Sequence, residues 1–471
     1  HKHNLNVSGG SEDVKYMASA GFLGQEGTMK NSDRQQFNLR TNLDIKLSDK
    51  FTMRTNMAFI HNQYSNPNAS YGGGSGQLIR QAARMAPWIP YKKEDGSYGS
   101  ISDGNPVAWL DIDSKVNYLQ QNFSGVLAFD YHLLDGLTFT LQGAYVTDIK
   151  ETKDYRKECW YDEVNYHGPD QLTETLNRWS RYTLDALVNY DKVFGQDHHF
   201  KAMGGYKIEK YDNRELKAFR KNFPNSDVTD LNGGDSATQT NSGYSRELAL
   251  LSYFGRLNYD YRGKYLLEAN FRADASSRFA DGFRWGYFPS FSAGWRISEE
   301  DFMKDLNLSW LNNAKIRGSW GQLGNQNIGL YPYQAMISGV RDYPFDKKAD
   351  VIGYQQTAYA NRDIKWETTT ITDIGFDLQV FNGLNVTFDW YKKVTSDILR
   401  KSQVSALLGM TAPTVNDGEV ENKGIEIAFN YNNMITDGVF KGLQYNAGVY
   451  FDRSRNKLTK FGAEEIDGYK L

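Results

Sequence analysis

Residues 252–298 read SYFGRLNYDYRGKYLLEANFRADASSRFADGFRWGYFPSFSAGWRIS, three successive segments that each alternate apolar with charged or amide side chains. In 252–261 the apolar set is Tyr253, Leu257 and Tyr259, opposite Arg256, Asn258 and Asp260. In 265–274 it is Tyr265, Leu267, Ala269 and Phe271, opposite Glu268, Asn270, Arg272 and Asp274. Side chains of a strand point alternately to its two faces, so this pattern predicts strands with one greasy and one wet side. A water-soluble sheet would turn the greasy side to a core. An outer-membrane barrel turns it to lipid and keeps the wet side in its lumen. Which of these holds determines what the protein can do.

The chain has 471 residues, enough for several soluble domains or one large barrel. Its formal net charge of -3 gives no basis for nucleic-acid binding or for general attraction to anionic membranes. With 40% hydrophobic residues, a mean hydropathy of -0.64 and no apolar run of helical membrane-spanning length, no bilayer-crossing helix is expected. A barrel strand needs lipid-facing residues only at alternate positions, so the same composition admits one. The 31 Tyr and 26 Phe, against 10 Pro, suit strands and interfacial aromatic girdles better than disorder. A single cysteine, Cys159, rules out an internal disulfide and a thiolate metal cluster, and its place in a predicted surface loop suggests no special role. The sequence opens at His1 with no signal-peptide pattern, as expected of a mature chain or a fragment if the protein is exported.

Period-2 reading gives about 16 alternating segments from end to end. Phe37-Leu39-Thr41-Leu43-Ile45-Leu47, Tyr182-Leu184-Ala186-Val188-Tyr190 and Phe200-Ala202-Gly204-Tyr206-Ile208 are clear cases, followed by Ile374-Phe376-Leu378-Val380, Leu384-Val386-Phe388-Trp390 and Ile425-Ile427-Phe429-Tyr431. Arg40, Asp44, Asp185, Asn189, Lys207, Asp377, Asp389 and Glu426 fall on the opposite face. Short turns at 48–50, 135–136, 195–197, 262–263 and 382–383 alternate with long connections near 24–33, 63–116, 150–175, 212–244, 276–285, 325–365 and 397–419. Short and long never exchange places, which is the outer-membrane arrangement of short periplasmic turns and long external loops. One periplasmic connection, 298–312, is longer; SEEDFMKDLN predicts a short helix with Ser298 as N-cap and Glu299, Glu300 and Asp301 in its first turn. On this reading the first segment descends and the last rises, so both termini fall on the outer side. That predicts a part of a larger barrel, because no strand edge can face lipid unpaired.

Ligand contacts concentrate on long loops. Connection 63–116 carries Tyr64, Tyr71, Trp88, Tyr91, Tyr98 and Trp109, and 150–175 adds Tyr155, Trp160 and Tyr161. Amphipathic rings suit stacking on sugars or docking a partner, and they equally suit packing the loops together. Trp88, Tyr98, Trp109, Trp160 and Tyr161 are the candidate substrate-binding or lid-contacting residues. No catalytic or metal-binding constellation stands out. The GGGSG at 72–76 lacks a following Gly-Lys-Ser/Thr and is expected to precede no helix, so it is no P-loop. The histidines form no His-Glu-x-x-His pattern; His1 and His3 share a strand face at one end, and His198-His199 is expected to be solvated beside a turn. Asn416-Asp417-Gly418-Glu419 matches no EF-hand spacing.

Five strings then occur in one order: HNLNVSGGSEDVKYMASAGFLGQEG, the pair YRGKYLLEANFRADASSRF and WGYFPSFSAGWRIS, KIRGSWGQLGNQNIGLYPY, IKWETTTITDIGFDL and NDGEVENKGIEIAFNY. With them the chain resembles, over its whole length, the SusC/RagA-like TonB-dependent transporters of the Bacteroidota outer membrane. The resemblance implies an all-β fold: a transmembrane antiparallel β-barrel of about 22 strands, of which residues 1–471 would supply about 16 as one barrel domain. It further implies an N-terminal plug, a SusD-like surface lipoprotein as external lid, and import of oligosaccharides or oligopeptides into the periplasm. The TonB-ExbB-ExbD complex would supply the energy, no cofactor would be needed, and transporter–lipoprotein pairs would associate as dimers. The sequence shows no plug domain, TonB box or final strands, so energy coupling is an expectation for a longer parent chain. Arg272, Asp274, Arg278 and Glu367 lie in the matching strings and are expected to be structural. A passive porin-like channel and an exported glycan-binding or adhesin β protein are the alternatives.

Overall fold

The computed structural model describes residues 1–462 apart from 70–72, 101–103, 340–342, 345–349, 352, 382, 406 and 408. Tyr71 and Gly72 of the long aromatic loop and Asn382 of one short turn therefore lie outside the described residues. The chain forms two compact units, one of residues 1–131, 141–184 and 209–247, the other of 132–140, 185–208 and 248–471. Among the described residues no helix is long and apolar enough to cross a membrane.

One sheet of 16 strands takes the chain in sequence order. Its first eight strands are β1 Lys2–Gly10, β2 Val14–Glu26, β3 Asp33–Ser48, β4 Phe51–Pro67, β5 Lys115–Leu134, β6 Leu137–Arg156, β7 Gln171–Phe194 and β8 His198–Lys221. The other eight are β9 Thr240–Tyr261, β10 Tyr265–Ser276, β11 Trp285–Arg296, β12 Leu311–Asn325, β13 Glu367–Val380, β14 Leu384–Ser396, β15 Glu419–Met434 and β16 Gln444–Lys460. The predicted segments named above are strands, and the long connections fall between strands, although the strands run further into them than predicted: 212–221 and 240–244 are strand. Strands β7 and β8 run 24 residues each, well beyond the roughly 9–11 that cross hydrocarbon.

Burial follows the alternation in the membrane sense. Leu39, Leu257, Leu267, Phe271 and Ile374 are exposed, whereas Asp130, Asp148, Ser252 and Asp274 on the opposite face are buried. Leu267 is 52% exposed and Asp274 of the same strand 8%. Register keeps like with like: Tyr259 faces Leu267, and Asn258 faces Glu268. A soluble sheet would show the reverse. The polar face is laced by charge-assisted bonds, the stronger class of hydrogen bond. Arg54 grips Asp130 with two bonds of 2.6 and 2.9 Å, and Arg256 Nε donates to Asn270 at 2.7 Å.

The short turns explain the tightness of one end. Arg262 and Gly263 both have positive φ, 54° and 65°, as the central residues of a type I′ hairpin turn require. Arg262 also donates a side-chain bond of 2.6 Å to Asp197, fastening its turn to the neighbouring one. Gly136, at φ 78°, accepts from Asp191 N, and a Cβ there would collide with the Asp191 carbonyl.

Three local expectations are corrected. The connection after β11 does hold a short helix, α3 (Asp301–Asp305), but its N-cap is Glu300. The Ser298 hydroxyl instead turns toward the base of β12, to Asn313 and the Ala314 carbonyl. The GGGSG stretch does lead into a helix, α1 (Gly74–Arg84), because QLIRQAAR supplies strong helix formers with apolar residues three and four apart. Cys159 lies in a loop yet is fully buried. His198 and His199 do lie at the surface beside their turn, where they bond to Tyr259 (2.8 Å) and Asp191 (2.6 Å).

Charge placed on the apolar face is the sharpest test of this orientation. Phe388→Arg, further from the strand ends, is expected to cost about 2–4 kcal/mol and Leu267→Arg, two residues from the periplasmic end of β10, less, seen as loss of folded, heat-modifiable protein from the outer membrane. Normal levels of both variants would reverse the assignment of faces.

Candidate functional site

The loop between β4 and β5 and the loop between β6 and β7 fold together into a small core in the first unit. Ala69, Leu78, Ala108, Trp109, Cys159 and Tyr161 form its buried centre, with Tyr98, Leu110 and Ile112 packed against it. Helix α2 (Pro106–Asp111) delivers Trp109 to it. Asn105 caps that helix by accepting from Val107 N (2.8 Å) and Ala108 N (3.3 Å), and its amide donates to the Gly99 and Tyr91 carbonyls. Asn followed by Pro at the first helical position is a helix-start signal present in the sequence. The second loop answers with a two-stranded hairpin pairing Cys159 with His167 and Trp160 with Tyr166.

The five candidate aromatics divide by environment. Trp109 is 0% exposed, and its indole Nε1 donates to Tyr161 Oη at 2.6 Å. Tyr161 Oη also shares a hydrogen bond of 3.0 Å with His167 Nδ1, in which the imidazole tautomer sets the donor. Tyr98 donates to Asp111 at 2.9 Å; burial, then this bond, push its phenol up to about 12. Asp111 is held below the usual carboxylate range by that bond and by Lys30 at 3.3 Å. These three rings knit the loops. Trp88 is 83% exposed, and Trp160, half-exposed, stacks on Tyr166 with centroids 4.3 Å apart. Trp88 and Trp160 thus present ring surface outward. Tyr166 and His167 were not singled out from the sequence, because a two-residue hairpin inside a loop has no periodicity to read.

The second unit carries a loop core of its own, in which Phe279, Phe288, Ile364 and Trp366 are buried together. Trp366 donates to the Arg284 carbonyl at 2.8 Å. Glu367 joins two loop bases by accepting from Asn325 Nδ2 (3.1 Å) and Leu399 N (3.0 Å). Arg278 donates to the Ile328 carbonyl, and Arg272 is bonded to Asp274 and Ser252. On the polar face of β8 to β13, a cavity of about 610 Å³ is lined by Lys201, Glu268, Lys315, Arg317 and Asp373, among others. Arg317 meets three carboxylates there: Asp373 (3.2 Å), Asp377 (3.2 Å) and Asp389 (2.6 Å). Such a surface can carry a hydrated solute by exchanging hydrogen bonds. Among the described residues no group of three or more His, Cys, Asp or Glu could hold a metal ion.

Two outcomes follow from the loop core. Trp109→Ala would empty a large, fully buried site and is expected to cost about 3–5 kcal/mol of local stability, read as faster proteolysis of 63–116 while the strands stay intact. Burial lowers the His167 imidazole below its ordinary value, so the closed loop takes up a proton less readily than the opened one. Its contribution is therefore full above the ordinary imidazole value, about 6.5, and is lost as pH falls below it. Nicking of the 150–175 loop should accelerate between pH 7.5 and 5, and His167→Gln should flatten that step; a pH-independent rate would remove His167 from this role.

Comparison with known proteins agrees with this architecture. Residues 85–471 match the family described as TonB dependent receptor-like, beta-barrel. TonB-dependent receptor P3 of Formosa agariphila is 29% identical over 469 residues, covering 97% of this chain and 45% of that protein. TonB-dependent receptor SusC of Bacteroides thetaiotaomicron is 28% identical over 513 residues, covering 99% and 48%. A structure of the RagAB peptide importer in the open-open state superposes with a TM-score of 0.80 at 19% identity, over 100% of this chain and 51% of that one. The chain thus spans about half the length of the relatives it matches. With sixteen strands that turn their apolar face outward, and with this match over most of its length, the chain belongs to the TonB-dependent receptor β-barrel family of the outer membrane.

Proposed function

We propose that the protein to which this chain contributes its barrel imports oligosaccharides or oligopeptides into the periplasm. TonB, with ExbB and ExbD, supplies the energy through a plug domain, and a SusD-like surface lipoprotein closes the outer mouth. Residues 1–471 all belong to the barrel domain on this reading, and two transporter–lipoprotein pairs associate. Two observations support it: in the second unit, a polar sheet face with a charged cavity, and in the first, loops that project exposed aromatic rings. A lumen of hydrogen-bonding groups suits a hydrated oligomer, and the outward rings suit its capture or the lid's. The likeness to SusC and to the RagAB importer supports the same mechanism. Trp88 and Trp160 make the contacts to ligand or lid, while Trp109, Tyr161 and Tyr98 hold the platform on which they stand.

Uptake of fluorescent oligosaccharide and oligopeptide pools by cells carrying the full-length protein tests this. Accumulation of one pool is expected, and it should cease when TonB is deleted. Uptake that persists without TonB would support a passive channel, and surface binding without uptake an adhesin. Trp88→Ala with Trp160→Ala should weaken capture or lid association by about tenfold or more, since each stacked aromatic contact contributes about 0.5–1.5 kcal/mol. Unchanged uptake and lid binding would end their proposed role.

A further inference from the structure

The segment that joins β11 to β12 is anchored to the apolar face of the sheet. Tyr265 and Trp295 are register partners at the periplasmic ends of β10 and β11, on the same face as the exposed Leu267. Both donate to one oxygen of Glu300, at 2.6 and 3.0 Å, and Lys264 donates to the other at 3.2 Å. The carboxylate of Glu300, the residue at the start of α3, is therefore fixed to the side of the sheet that meets lipid. Burial beneath the segment agrees. Ala314, on the apolar face at the base of β12, is only 8% exposed, while Ile316, the next residue on that face, is 47% exposed.

So placed, the segment is amphipathic. Phe302 and Leu306, four residues apart, share one side of the helical turn, and Leu306 is 59% exposed. Exposed Trp310 and Phe381 lie against each other with centroids 6.1 Å apart. Asp301 and Asp305 fall on another side, and Lys304 is paired with Glu299 at 3.0 Å. We propose that residues 297–310 with Phe381 form an interfacial foot, its apolar side chains sunk in the headgroup and acyl boundary of the inner leaflet of the outer membrane. Phospholipid is the fitting occupant because the apolar surface is continuous with the lipid-facing row that anchors it through Tyr265 and Trp295. Amphipathic segments with this division of faces lie in the interfacial plane. Binding would come from apolar burial, since the basic groups are already paired, and would be insensitive to salt.

Site-directed spin labelling of the full-length protein in phospholipid nanodiscs tests the foot. Nitroxides would be placed singly at Leu306→Cys and Phe302→Cys, with Leu267→Cys as lipid-facing and Asp305→Cys as water-facing reference. Both foot positions are expected to collide with oxygen in preference to a water-soluble nickel chelate, as Leu267→Cys does, at low and high salt alike. Preference for nickel at both, with the two references behaving normally, would overturn the proposal. So would positions that are wet in nanodiscs and shielded only in intact cells, which would assign the surface to a periplasmic protein.

Discussion

The backbone cannot enter hydrocarbon with its N–H and C=O groups unpaired, and this requirement governs the chain. Each spanning segment must lie beside another, which a sheet taken in sequence order achieves with the shortest connections. Once the strands are paired, period-2 alternation leaves one face for lipid and one for water. The lipid face then needs only size and apolarity, which Leu, Phe, Tyr and Ile supply. The polar face gathers the charges, and there they must compensate one another. Arg54 with Asp130, and Arg317 among Asp373, Asp377 and Asp389, are the result. A planar guanidinium with several donors suits such multiple contacts better than an ammonium would.

Because the strands bury little on their apolar face, the hydrophobic cores among the described residues gather around the loops. Trp109 and Tyr161 organise one, and Phe279 and Trp366 another. Each lets a long connection hold a definite shape, and hence hold other rings at its surface. Trp88 and Trp160 are displayed because Trp109, in the same pair of loops, is not. The same logic operates at the opposite end, where Glu300 uses two aromatic side chains of the lipid face to hold a short helix in place.

Much of this was legible in the residues. Strand number, register faces and the alternation of long and short connections are local, repeating properties, and one charged residue out of phase would have shown. The type of each loop aromatic was equally plain. Its role was not, since Trp109 and Trp88 look alike in a Gly- and Pro-punctuated stretch, and burial depends on a second loop some fifty residues away, whose Tyr161 is the hydrogen-bond partner of Trp109. Ser298 likewise carried a sound capping signal. Its hydroxyl went instead toward the base of β12, a partner that only the fold brings near.

The sequence by itself determined the strands, their two faces and the side on which the loops gather, because alternation and turn chemistry act between neighbours in the chain. Only the tertiary structure decided which aromatic rings are buried and which are presented. It also decided which carboxylates share Arg317, and that the segment after β11 lies against the lipid face. Those outcomes rest on contacts between residues far apart in sequence, whose side chains carry no mark of the partner they will meet.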